Sequence, residues 1–179
     1  MKNYLFILLI CLGCASKKEI VAPKFESKIV SNEKLSCRAI FVDADKVWLG
    51  MDKGRYGFYD KKKDTLVVKT IQSVSNTTEF RSIAATKDAI FILAVGNPAK
   101  LIKIDKKSLQ ETIVYQEENE KVFYDSMQFV DNLNGFAMGD PTEDCLSFIK
   151  TTDGGNSWEK ISCANLPKVS EGEAAFATS

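Results

Sequence analysis

Thr151-Thr152-Asp153-Gly154-Gly155-Asn156-Ser157-Trp158 reverses the chain between two short runs with strand character, Leu146-Ser147-Phe148-Ile149 ahead of it and Trp158-Glu159-Lys160-Ile161 behind. An Asp side chain at position 153 can accept bonds from the backbone amides that follow it. Gly154 and Gly155 can take the positive φ that such a loop demands. Trp158 then supplies an apolar plate at the start of the return strand, large enough to cover the inner face of the hairpin. The expectation is a tight antiparallel hairpin folded about Gly154, with Thr151 opposite Ser157. The same register sets Cys145 directly across from Cys163, at a separation that suits a disulfide; the alternative is two buried thiols.

Outward from this turn the chain repeats. Short runs rich in aromatic and β-branched residues are separated by Gly, Asn, Asp and Lys clusters, and no window carries a sustained helical stripe. Four segments align: Arg38-Ala39-Ile40-Phe41, Arg81-Ser82-Ile83-Ala84, Asp125-Ser126-Met127-Gln128 and Glu173-Ala174-Ala175-Phe176, with openings 43, 44 and 48 residues apart. That period belongs to a four-stranded propeller blade. The predicted fold is therefore an all-β propeller, with blades at about 37–72, 80–117 and 123–163 and the first strand of another from 172. In the third blade the strands are expected near 125–130, 135–139, 145–151 and 157–162. Lys61-Lys62-Lys63-Asp64 and Asp105-Lys106-Lys107-Ser108 fall at the equivalent outer turns and read as solvated loops. Three blades and one strand leave open sheet faces. The chain accordingly reads as the front part of a longer propeller, a self-contained small domain or a ring closed by a second chain being the alternatives.

The opening stretch resembles the Asp-box of sialidase-type (BNR) propellers, S/T-x-D-x-G-x-S/T-W, its positions filled by Thr151, Asp153, Gly155, Ser157 and Trp158. The third repeat also resembles the photosystem II assembly and stability factor propellers and related exported bacterial BNR-repeat proteins. It does so through Phe123-Tyr124-Asp125-Ser126-Met127-Gln128-Phe129, Asn134-Gly135-Phe136-Ala137-Met138-Gly139-Asp140-Pro141 and Gly172-Glu173-Ala174-Ala175-Phe176-Ala177. That resemblance implies a seven-bladed scaffold without catalytic residues, in which the box fastens the blade rim.

At the N-terminus, Lys2 leads an apolar run from Tyr4 to Leu12 that ends in Gly13-Cys14. The run is too short for a mature membrane span and has the layout of a secretory signal over residues 1–13. Leu12-Gly13-Cys14 resembles a bacterial lipobox, with Cys11 where Leu is usual. On that reading Cys14 is acylated and becomes the first mature residue, anchoring the protein to the bacterial cell envelope; an ordinary signal peptide is the alternative. Residues 14–35, charged and carrying Pro23, read as a tether. Cys37 is left without an assigned role.

The charge is balanced, 24 basic against 24 acidic residues, so there is no long-range attraction toward nucleic acid. The chain has no histidine, which removes Ser-His-Asp and Cys-His catalysis and every His-based metal site. No cofactor is implied, and Asp153-Gly154-Gly155-Asn156 lacks the ligand spacing of a calcium loop. Because the first strand of each blade lines the channel of a propeller, Arg38, Arg81, Asp125 and Glu173 are the candidate binding residues, forming a polar mouth; the competing reading makes them structural ion pairs between blades. A sialidase-like glycosidase would need an arginine triad and a Tyr nucleophile. The chain holds only Arg38, Arg55 and Arg81, with Tyr124 beside Asp125. The expected function is a protein-binding or assembly scaffold with a protein partner, a glycan-binding or glycoside-hydrolysing propeller being the alternative. Metabolic labelling with a fatty acid checks the anchor: label is expected on the wild type and absent from Cys14→Ala.

Overall fold

The computed structural model describes residues 22–175; the signal segment, Cys14, the first part of the tether and residues 176–179 lie outside them. Twelve strands form three four-stranded antiparallel sheets in sequence order. The first sheet holds β1 (Cys37–Val42), β2 (Lys46–Met51), β3 (Arg55–Asp60) and β4 (Thr65–Thr70). The second holds β5 (Phe80–Ala85), β6 (Ala89–Ala94), β7 (Ala99–Asp105) and β8 (Glu111–Glu117), and the third β9 (Tyr124–Phe129), β10 (Gly135–Gly139), β11 (Ser147–Thr151) and β12 (Glu159–Lys160). The opening strands of successive sheets meet, β1 against β5 and β5 against β9, so the sheets fan out as blades from a common inner edge. The all-β propeller arrangement expected from the repeat is the observed fold.

Strand β6 shows why the blades stack. All six residues of Ala89-Ile90-Phe91-Ile92-Leu93-Ala94 are buried, although successive side chains on a strand point to opposite faces. Ile90, Ile92 and Ala94 join Trp48, Tyr56, Phe58, Ile71 and Phe80 in a core against the first blade. Phe91 and Leu93 join Tyr124, Met127, Ala137, Ile149 and Trp158 in a second core against the third. A continuous apolar run is thus explained by a sheet covered on both sides. Each fully buried Ile, Leu or Phe contributes about 1.5–3 kcal/mol.

The 151–158 turn is wider than a tight hairpin, and its register differs from the expected one by a residue. Ile149 pairs with Lys160 and Lys150 with Glu159, so Thr151 does not face Ser157, and Trp158 lies in the loop rather than on the return strand. The cause is the bonding of Asp153, whose carboxylate accepts from the Asn156 amide at 2.9 Å, the Ser157 amide at 3.1 Å and the Ser157 hydroxyl at 2.7 Å. Thr151 Oγ1 accepts from the Gly155 amide at 3.0 Å. These bonds hold open a seven-residue loop, 152–158. They also hold the Asp153 carboxyl far below the usual carboxylate range, chiefly through Ser157. Asp60 and Asp105 cap the equivalent outer turns by accepting from the amides two and three residues on.

Cys145 and Cys163 form a disulfide with Cα atoms 5.5 Å apart. They are not a directly opposed ladder pair: Cys145 precedes β11, and Cys163 begins a 3-10 turn, Cys163–Asn165, that follows β12. The bridge closes the end of the hairpin beyond its last strand pair. Residues 173–175 carry no strand, so within the described residues the expected opening of a next blade is not formed.

The loop also fastens blade to blade. Trp158 packs edge-on against Phe91 of the second blade at 6.3 Å and against Phe129 at 5.7 Å. Gly155, at φ 76°, brings its backbone so near the Phe91 ring that a Cβ would sit 2.2 Å from it. Lys106 is not the solvated residue expected: its side chain is 16% exposed and pairs with Asp43 of the first blade at 2.8 Å. On the other side, Glu117 of β8 joins the second blade to the third. Its carboxylate accepts from the Tyr115 and Tyr124 hydroxyls, both at 2.8 Å, and pairs with Lys160 of β12.

Burial pushes the Glu117 carboxyl upward, but the bonds from Lys160 and the two tyrosines outweigh it and hold the group below its ordinary value. A depressed carboxylate stabilises the fold above its unfolded-state pKa, and that contribution is lost as pH falls through the folded value. Glu117→Gln is therefore expected to cost about 1–3 kcal/mol at neutral pH, with the deficit against wild type shrinking below the ordinary carboxylate range, as read by denaturant unfolding across pH.

Candidate functional site

Each inner strand breaks its ladder once, at the same place. In the β1–β2 pair the register shifts between Cys37 and Ala39, in β5–β6 between Phe80 and Ser82, and across from Met138 and Gly139 in β9–β10, leaving Arg38, Arg81 and Asp125 as the unpaired residues. The same backbone bond flanks all three bulges. Asp52, Val95 and Asp140 donate their amides to the carbonyls of Ser36, Glu79 and Phe123, two residues ahead of each bulge, at 3.0, 3.1 and 2.8 Å. A β-bulge re-aims one side chain and sharpens the local twist. Here it does so three times, at three of the four charged positions singled out from the repeat.

The structure links Arg38 and Arg81 through a residue that the repeat did not single out. Glu79 accepts from Arg38 Nε and Arg81 Nε, each at 3.0 Å, so one carboxylate ties the first blade to the second. Burial pushes the Glu79 carboxyl up, and the two arginine bonds outweigh it and bring it below its ordinary value. The Arg81 guanidinium also lies 5.2 Å from the Phe123 ring centroid, a cation–π contact with the segment leading into the third blade. The Arg38 side chain stays 41% exposed and that of Arg81 31%, and among the described residues each bonds Glu79 through Nε alone.

Asp125 differs from both. It is 8% exposed, and its carboxyl is pushed up to about 6, first by burial and then by the Asp140 carboxylate, against an opposing pull from Arg81. Asp140 follows Gly139, which pairs with Tyr124, so the ladder itself sets the two acids close together. One Asp140 oxygen accepts from the Ala175 amide at 2.9 Å. Glu173 does not join the set: it is exposed, and its carboxylate accepts from the Ser170 amide at 2.8 Å. Glu79, Phe123 and Asp140 were legible only as fixed offsets from the bulge, a signal that appears once the bulge is known.

The three arginines do not converge. Arg55 is bonded to Asp52, while Arg38 and Arg81 share Glu79. Tyr124 is fully buried and its hydroxyl donates to Glu117; burial, followed by Tyr115 and Glu117, holds that phenol far above its usual pKa. A separate rim cleft of about 350 Å³ between the second and third blades is lined by Lys87, Asp88, Lys103, Asp105, Asn132 and Asn156. Much of its polar lining is internally bonded, as with Lys103 Nζ to Asn156 Oδ1 at 2.7 Å.

No family model matches the chain, and no curated protein matches it. Among solved structures, one of YCF48 bound to D1 peptide is similar at TM-score 0.53 and 12% identity, over 70% of this chain and 38% of that one. A structure of U3-55K and one of the RRP9 WD40 repeats are each similar at TM-score 0.59 and 10% identity, over 75% of this chain and 41% of theirs. The chain spans about two-fifths of the length of the solved structures it matches. At such identities the likeness establishes the propeller fold and no more.

The raised Asp125 carboxyl has a consequence for stability. A group that binds its proton more tightly when folded lowers stability as pH rises from its unfolded-state value through its folded one. Asp125→Asn removes that loss. Its melting temperature is expected to exceed the wild type's at about pH 7.5 and to match it at about pH 3.5, below both values.

Proposed function

We propose that this chain is part of a protein-binding scaffold: an exported β-propeller, held at the bacterial cell envelope by lipid on Cys14, whose inner strand edges grip a protein partner. The observation that carries the reading is the alignment of bulges at Arg38, Arg81 and Asp125, which re-aims a charged side chain at the matching position of each blade. Bulges of this kind gather at binding edges. Arg38 and the half-buried Arg81 keep terminal nitrogens that bond no other described residue, suited to contact with carboxylates or backbone carbonyls of a bound segment. The structure of YCF48 with a peptide supports a peptide-binding role by analogy of fold. Export and anchoring rest on the Lys2-led apolar run and Leu12-Gly13-Cys14.

Cross-linked capture from envelope membranes tests the reading. Arg81→Glu is expected to reduce recovery of the wild-type partner about tenfold or more, the size of effect produced by losing one charged contact. Arg81→Ala, which brings no new charge against Glu79, is expected to reduce it less. Undiminished recovery by both variants, with unaltered melting temperatures, overturns the reading.

A further inference from the structure

Four half-buried acids of this protein are paired with cations. Glu79 has Arg38 and Arg81, Glu117 has Lys160, Asp43 has Lys106 and Asp52 has Arg55. Asp125 breaks the pattern. Among the described residues its carboxylate accepts no hydrogen bond and forms no ion pair, although the residue is 8% exposed. Its neighbour Asp140 likewise has no ion-pair partner among the described residues, and its one bond is to the Ala175 amide at 2.9 Å. Arg81, the cation nearest in effect, is committed elsewhere: its Nε bonds Glu79 at 3.0 Å and its plane lies over Phe123.

A carboxylate withdrawn from water without a counter-charge is costly, and a second carboxylate beside it adds to the cost. The bulge creates that situation by taking Asp125 out of the ladder beside the strand end that leads into Asp140. The geometry points to Asp125 and Asp140 as a receptor for a cationic side chain, the lysine ammonium or arginine guanidinium of a bound protein segment, since no ion-pair partner of either acid is found among the described residues. This rests on the scaffold reading and adds polarity to it: the arginine forks hold the acidic or carbonyl-rich part of the segment, and the Asp pair holds its basic residue. Such a pair contributes to affinity only when both charges are buried together with complementary geometry.

A short fluorescein-labelled oligolysine peptide, with oligoglutamate as its counterpart, tests the inference on the full chain by fluorescence anisotropy. Wild type is expected to bind oligolysine. Asp125→Asn and Asp140→Asn are expected to weaken binding by about tenfold each, roughly the loss of one buried charge contact. Arg81→Ala is expected to tighten it, since it removes a positive charge whose field reaches Asp125 although its bonds go to Glu79, while weakening capture of the natural partner. A fold-damaging change would weaken both, so the opposite signs identify a specific site. Equal oligolysine binding by wild type and Asp125→Asn overturns the inference. So does Asp125-dependent binding of calcium or magnesium with none of oligolysine. Arg81-sensitive partner capture alongside either result would leave the scaffold reading standing.

Discussion

A β-sheet has two faces, and a blade stays folded only if something apolar covers both. Among the described residues the constraint is met at the second blade, whose β6 sends alternate residues into two separate cores. Everything else follows from that stacking. The aromatic loop contacts, the Glu117 link and the Lys106–Asp43 pair all lie at junctions between blades, where they fix the angle at which one sheet leans on the next. The outward face of the first blade leaves Ile40 62% and Val42 66% exposed. A propeller meets the same constraint by placing another sheet against each such face.

The polar inner edge works under a different rule. Apolar burial dictates where the strands lie, but the bulges dictate which side chains leave the ladder, and all three are charged. Two of them, Arg38 and Arg81, are compensated within the fold by Glu79. The third, Asp125, is left beside Asp140 at the expense of stability. Binding sites commonly keep such locally unfavourable groups, because the interaction that would relieve them is the one made with the ligand.

The 151–158 loop separates two kinds of information in a turn motif. Its residue types specify bonding: an aspartate accepts several amides, glycines take positive φ, and a tryptophan seeks an apolar seat. All of that is realised locally. Where Trp158 seats is not local, since its partner Phe91 belongs to another blade. The register, by contrast, is set within the loop. The bonds to Asp153 add length to the loop, shifting the ladder by one residue and moving Cys145 and Cys163 beyond its end, yet within reach of each other.

From the sequence alone, the period of the aromatic and β-branched runs determined the strands, their grouping in fours and the blade architecture, because alternation and turn chemistry are properties of neighbouring residues. It also singled out Arg38, Arg81 and Asp125 as equivalent positions. Tertiary structure decided the rest. Glu79, Phe123 and Asp140 became part of the site only when strands distant in sequence were brought edge to edge. Whether a charged residue is compensated, exposed or buried alone depends on what the neighbouring blade presents to it. A single strand carries no record of that.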